Sequence, residues 1–307
     1  MTPPSLPASD PAWPALPYEP WKDTLSFLQL ELQVLGKLRV ACSPREPEWA
    51  HITLYVGARG LTTGPVPVAL PGGPGLVEAE ADLLAHEVVV RTSAGRTRAV
   101  PLVAPSVAAF HDAFLGGLRE LGVTAELSTM PQEVADPVPF PEDTRARVYD
   151  GDAVTRFHRV LASIVPVFDA YRGAFNGKVS RTQFFWGSMD LAVTRFSGNP
   201  CSPPPGADLL LRETYDYEQC SAGFWAGDAR YPAPAFYAYG YPKPDGIEHA
   251  TVGPTGAAWH DGLGELILPY DDVRSTAAPA AVIREFLDSS YAALAHLSGW
   301  DGSLCRD

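Results

Sequence analysis

Lysine is the scarcest charged residue in this chain: four lysines stand beside nineteen arginines, and 36 acidic residues leave a net charge of −13. No Lys/Arg stripe is present. The electrostatic footprint that displaces counterions from a nucleic-acid backbone is therefore missing, and nucleic acid is excluded as an expected partner. Long apolar runs are missing too. No stretch approaches the roughly twenty residues that cross a bilayer, so no membrane association is expected.

Cysteine is sparse. Cys42, Cys201, Cys220 and Cys305 are scattered, and no pair has CxxC spacing. The opening MTPPSLPASDPAWP has no basic segment followed by an apolar run, so no secretory leader is expected. Together these point to a cytoplasmic protein with reduced thiols. The seven histidines show neither HxxH nor HExxH spacing, and no metal site is expected. Neither GxGxxG, GxxxxGK[ST] nor GxSxG occurs in a suitable context, which removes the dinucleotide, phosphate-loop and α/β-hydrolase readings. No cofactor is expected.

What is present is a pattern of helices and short strands. WKDTLSFLQLELQVLG places Trp21, Leu25, Leu28, Leu32 and Leu35 on one helical face, with Gly36 where a C-terminal cap would stand. Strand-like runs follow: KLRVAC, HITLYVGAR and the hairpin HEVVVRTSAGRTRAVPL with Gly95 in its turn. A helix then runs from Ser106 to Gly122.

The second half repeats this plan. The helical DAVTRFHRVLASIVPVFDAYRGAF, with Pro166 expected to kink it, leads to Gly177–Lys178 as the first helix leads to Gly36–Lys37. LAVTRFSGNP answers YVGARGLTTGP through Arg195 and Arg59, and GELILPY answers TRAVPL. The expected fold is α+β: two related halves, each an antiparallel β-meander covered by helices, from an internal duplication. Residues 1–16 form a flexible Pro-rich arm, 17–129 the first half, 130–152 a linker, and 153–307 the second half. Aligned on the arginines, the apolar Ile52, Leu54, Val56 and Ala58 fall opposite Ser188, Asp190, Ala192 and Thr194. Either a bulge shifts the register or the two sheets are used differently.

Several runs occur as a set: GKVSRTQFFWGSMDLAVTRFSG, ETYDYEQCSAGFWAG, AFYAYGYPKPDG and LGELILPYDDVR, with LQVLGKLRVA, ARGLTT, PSVAAFHDAF and MPQEVADPVPF in the first half. Through them the chain resembles a bacterial family catalogued as domain of unknown function 5996, over nearly its whole length beyond the arm. The resemblance implies no particular reaction. Against the family pattern, Arg181 stands for Pro, Gln183 for His, Tyr217 for His and Gly302 for Arg. If either histidine carries chemistry in the family, that role is lost or altered here.

The run FFWGSMDLAVTRFSGNP, read as one strand, sets Trp186, Ser188, Asp190 and Thr194 on a face too polar for a sealed core and too aromatic for plain solvent. That mixture suits a ligand cleft, or else Asp190 caps a loop above a packed Trp186. The candidate acid–base residues are Asp190, Glu218 and Glu265. Lys178 and Arg195 would hold an anionic group; Trp186, Trp225 and Tyr239 would form walls. Arg59 or Arg195 would pair Glu265, which sits in an otherwise apolar strand. The bland alternatives are solvated acids, cross-strand aromatic packing and lysines neutralising helix ends. Three functional classes follow: a metal-independent acid–base enzyme on a small anionic substrate, a ligand-binding or sensing protein without turnover, and a scaffold. A small-molecule ligand is the expected partner. The sequence does not set the oligomeric state.

Overall fold

The computed structural model describes residues 12–207 and 209–305. The first half runs α1 (Tyr18–Cys42), β1 (Tyr55–Val56), β2 (Gly60–Thr62), β3 (Val66–Leu70), β4 (Gly73–Asp82), β5 (Glu87–Thr92), β6 (Thr97–Pro101) and α2 (Val107–Glu120). The second runs α3 (Gly151–Gly173), β7 (Gln183–Phe185), β8 (Asp190–Pro200), α4 (Leu209–Thr214), β9 (Tyr217–Trp225), β10 (Ala235–Tyr241), β11 (Ala258–His260), β12 (Glu265–Pro269), α5 (Tyr270–Arg274) and α6 (Pro279–Leu297). Each half thus has an opening helix, six antiparallel strands and a closing helix, with the short α4 and α5 added in the second, which is the α+β plan of two related halves.

The first sheet has the order β1-β2-β4-β5-β6, with β3 also on β4, and the second β11-β12-β10-β9-β8-β7. They meet at their first strands, where Leu54 and Phe184 exchange backbone hydrogen bonds of 2.9 and 2.8 Å. The hairpin turn at Gly95 adopts φ +78, and α2 stops before Gly122 at φ +80, both left-handed positions that suit glycine. Ser106 and Asp150 cap α2 and α3 by accepting from Ala109 N and Ala153 N at 3.2 and 3.0 Å.

Three expected elements differ. α1 does not stop at Gly36 but continues through KLRVAC to Cys42. Its residues from Phe27 to Arg39 are almost all buried, with neighbours on every side rather than one. In a helix enclosed all round, a run of apolar residues loses the one-face signature and reads like a strand. Gly36 lies against the Trp186 indole, where a Cβ would overlap the ring. α3 likewise carries Pro166 in its interior and ends at Gly173, not Gly177.

The run read as one strand is a hairpin. Trp186, Gly187, Ser188 and Met189 form the turn between β7 and β8, with Met189 at φ +60. The proposed strand HITLYVGAR is extended only at its centre: His51 and Ile52 close the 3-10 turn Pro47–Ile52, Leu54 bridges to Phe184, and Tyr55–Val56 is β1. Arg59 lies between β1 and β2 while Arg195 lies inside β8, so the two arginines are not equivalent and the apparent flip in burial dissolves. The expected arm falls for residues 1–11 outside the described residues. Pro14 and Leu16 are buried, and Tyr270 Oη donates to Pro14 O at 2.9 Å, so the arm's end is docked. Residues 130–150 are irregular, with a 3-10 turn at Phe140–Glu142, and α3 begins at Gly151.

The sheets are used differently. In the first, Val77, Ala79, Ala81, Val88 and Val90 face the helices. In the second, Leu191, Val193, Phe224, Phe236 and Leu268 join that same core. Its other face carries a separate apolar cluster of Ala192, Trp225, Ala235, Tyr237 and Ile267. Among the described residues no helix is long and apolar enough to cross a membrane.

Candidate functional site

Strand pairing places the side chains of the second sheet's free face in rows. Thr194, Ser221 and Tyr239 form one; Ala192, Gly223, Tyr237 and Ile267 the next; Asp190, Trp225 and Ala235 a third. Because side chains alternate along a strand, the residues between these rows face the helices. Gly223 decides the local shape. A Cβ there would overlap the Tyr237 ring, so its absence lets that ring cross β9 and reach β8. Tyr237 Oη donates to Asp190 Oδ2, and Ser188 Oγ donates to Asp190 Oδ1.

Above this face lies a cleft of two lobes. The first, about 680 Å³, is lined by Asp190, Trp225, Tyr237, Tyr239 and Glu265 from the sheet, with Glu133, Asp228 and Arg230 at its rim. The second, about 500 Å³, is more apolar, with Trp49, Phe185, Phe196, Leu210 and Leu211 among its walls. Both lobes share Glu133, Ser188, Asp190, Tyr237 and Tyr239. The Asp190–Tyr237 pair therefore stands at the joint.

Glu133 arrives from the segment between the halves. Gln33 of α1 clamps that segment: its Nε2 donates to Gln132 O at 2.7 Å and its Oε1 accepts from Gln132 N at 2.8 Å. Glu133 itself sits at φ +55, a region non-glycine residues seldom adopt. Its carboxylate occupies the space a side chain at Gly187 would need. Gln29 Nε2 donates to Gly187 O at 2.5 Å and ties the hairpin turn to α1.

Three carboxyls, besides the Asp228 that is paired with Arg230, thus crowd one cleft. Burial, then the neighbouring Asp190, push Glu265 up to about 7, with Arg230 opposing. Burial and Asp190 likewise raise Glu133, again against Arg230. Burial raises Asp190 while its bonds from Ser188 and Tyr237 pull it back down. Tyr237 is raised far above the ordinary phenol range by burial and by Asp190. Arg230 is the cation at the rim, and Asp228 Oδ2 holds it through Nε and Nη2 at 3.0 and 2.7 Å. The local balance is negative, and each of the three acids is shifted toward keeping its proton. Among the described residues no three His, Cys, Asp or Glu groups are arranged to hold a metal ion.

Of the residues singled out in the sequence, Asp190, Glu265, Trp225 and Tyr239 line the first lobe. Trp186 lines the second, though chiefly as a joint between the halves: its Nε1 donates to Ile52 O at 2.7 Å and its ring packs on Gly36. Four others lie elsewhere. Arg195 follows Thr194, so alternation turns it to the helices. It is 2% exposed, stacks at 3.4 Å from the Tyr171 ring centroid and donates Nη2 to Tyr171 O at 2.5 Å. Lys178 is not itself a lining residue: it pairs with Glu48, which lines the second lobe, and its Nζ is 5.0 Å from the Phe196 ring centroid. Glu218 accepts from Ser197 Oγ at 2.8 Å and Asn199 Nδ2 at 3.1 Å, outside the cleft. Arg59 pairs with Asp82 in the first half. The cation acting on Glu265 is Arg230, not Arg59 or Arg195.

Glu133, Arg230, Gln29 and the two cleft-facing glutamines, Gln183 and Gln219, were not anticipated as cleft residues. The acid in MPQEVADPVPF and the cation in GDAR lie in loops, where no periodicity shows the direction of a side chain. Gln183 and Gln219 were legible in principle, because both share a strand face with residues that were noticed.

A family model described as a family of unknown function (DUF5996) matches residues 13–307. No curated protein and no solved structure matches the chain.

Proposed function

The chain belongs to a family of unknown function (DUF5996), and for this member we propose that the cleft binds a small uncharged or cationic molecule and acts on it by acid–base chemistry. The observation that carries this reading is the convergence of Glu133, Asp190 and Glu265 on one aromatic-walled cleft. An acid that titrates near neutrality suits proton transfer in either direction, and Glu265, pushed up to about 7, is that group. Asp190, held by two hydroxyl donors, is its fixed partner across the lobe. Trp225 and Tyr239 supply flat apolar walls.

The charge argues against an anionic substrate. Of the two residues expected to hold an anion, Arg195 is buried against Tyr171 and Lys178 is already paired with Glu48. Arg230 is already paired with Asp228, and a phosphate or carboxylate would face three acids. Binding without turnover is the second reading, favoured by one feature: both Asp190 oxygens already accept hydrogen bonds from the protein.

A thermal-shift screen of the purified chain beside Asp190→Asn, using polyols, amines and anionic metabolites, tests the proposal. A ligand that binds only the folded state raises the melting temperature by mass action. Selective polyol or amine hits that vanish in the variant are expected. Anionic hits, or hits indifferent to Asp190, would overturn it. Turnover of a hit, followed by proton NMR, should show an apparent pKa near 7 that disappears in Glu265→Gln; a stable bound ligand would select the second reading.

A further inference from the structure

Two glutamine amides in the second lobe have no structural task. Gln183 and Gln219 are 6% and 3% exposed. They stand opposite Ala192 and Phe196 of β8 and so share the cleft face, and both line the second lobe. Neither side-chain amide has a hydrogen-bond partner among the described residues. The polar atoms of neither amide are sealed away without a partner, so both amide ends open onto the space of the lobe, where donor and acceptor stand available. Amides left unpaired but facing a cavity are satisfied by what enters it.

The chemistry of an amide says what that is. It offers a donor and an acceptor side by side and matches an edge that offers an acceptor and a donor, as glutamine does on a purine edge. It carries no charge and so selects a neutral group. The walls agree: Trp49 and Phe196 present aromatic rings to the same lobe, and flat ligands stack on such surfaces. About 500 Å³ holds a one- or two-ring heterocycle with room to spare. Beyond the Asp190–Tyr237 joint lies the acidic lobe, whose carboxyls are acceptors for hydroxyl groups and repel phosphate.

Resting on the reading of the cleft as a small-molecule site, we propose that its ligand is bipartite. A flat, uncharged heterocycle lies in the second lobe, read by Gln183 and Gln219, and is joined to a hydroxyl-bearing end held at Asp190 and Glu265. A nucleoside without phosphate has this chemistry. Gln183 and Gln219 are then specificity residues, and the carboxyl lobe is where bond chemistry takes place.

Calorimetric titration of the full chain with adenosine, guanosine, cytidine and uridine, with their 5′-monophosphates and with ribose alone, tests this. At least one nucleoside should bind, and its monophosphate should bind about tenfold or more weakly. Gln183→Leu and Gln219→Leu should each loosen the nucleoside by about tenfold while leaving ribose unchanged. Both variants remove an unpaired amide, so they should melt no lower than the parent, which separates loss of recognition from loss of fold. Nucleosides that bind no tighter than ribose, monophosphates that bind tighter, or glutamine variants without effect would each overturn the bipartite ligand. The cleft reading would survive if polyols still bound through Asp190. It would fall as well if neither ribose, nucleosides, polyols nor amines bound.

Discussion

Tyr237 and Asp190 lie on strands separated by a third, and the phenol reaches the carboxylate because the residue between them is Gly223. The contact joins the two lobes of the cleft and fixes one carboxylate oxygen. Tyr237→Phe should remove that donor while keeping the ring, leaving Asp190 Oδ2 without a partner at a cost of about 1–2 kcal/mol in urea denaturation. Because the bond lowers the Asp190 pKa, the variant's carboxyl should hold its proton to higher pH, which carbon-13 NMR of the side chain would show. An unchanged titration would mean that the bond does not govern Asp190.

Glu265 provides a pH signature. Its folded pKa, about 7, lies above the ordinary value of 4.5. Between those values the folded chain holds a proton that the unfolded chain has lost, so stability falls as pH rises through that window and is level above it. Glu133 and Asp190 are shifted the same way. Glu265→Gln should flatten this part of the profile and gain about 1–2 kcal/mol at pH 8, allowing for partial exposure, with no gain at pH 4. Melting curves across that range decide it; a wild-type profile that rises toward pH 8 would contradict the assignment.

Gly36 sits in the interior of α1, where helix propensity alone favours alanine by about 1 kcal/mol. The Trp186 indole fills the space that a methyl group would enter. That ring is 3% exposed and hydrogen-bonded to Ile52 O, so it has little freedom to yield. Gly36→Ala should therefore destabilise by about 2 kcal/mol despite the better propensity. A gain in stability would show that the Trp186 indole yields to the added methyl group.

Arg195 is a structural residue in the helix-covered core. Arg195→Ala should lower stability by about 3 kcal/mol, through lost stacking on Tyr171 and Tyr291 and the lost hydrogen bond to the Tyr171 carbonyl. Arg195→Lys should recover little of it, since an ammonium cannot reproduce the planar stack. Ligand affinity of the folded fraction should not change. Weaker binding with intact stability would instead place Arg195 in the site.

The sequence disclosed the plan of the molecule better than its details, and particular residues show why. The duplicated order of helix, meander and helix was readable because strands and helices of a half-covered sheet keep their periods. α1 was cut short at Gly36 because burial on every side erases the one-face signature, and the tryptophan that needs the glycine lies about 150 positions away in sequence. The β7–β8 turn was hidden because its central Gly187–Ser188 is flanked by Trp186 and Met189, large apolar residues that continue the strand-like run. Asp190, Glu265, Trp225 and Tyr239 were found because polar and aromatic residues shared a strand face. Arg195 was misplaced by one step of the same alternation. Glu133 and Arg230 come from irregular backbone, where only tertiary structure shows what a side chain meets.

The clamp of Gln33 on Gln132 makes the stretch between the halves a working part rather than a tether. One of the three cleft carboxyls hangs from it. Two fragments, 17–129 and 153–307, could rejoin through the Leu54–Phe184 pairing and still lack Glu133. An insertion that lifted this stretch off α1 would leave both sheets standing over a cleft with a different charge. The stretch that joins the two halves therefore also sets the charge of the cleft between its lobes.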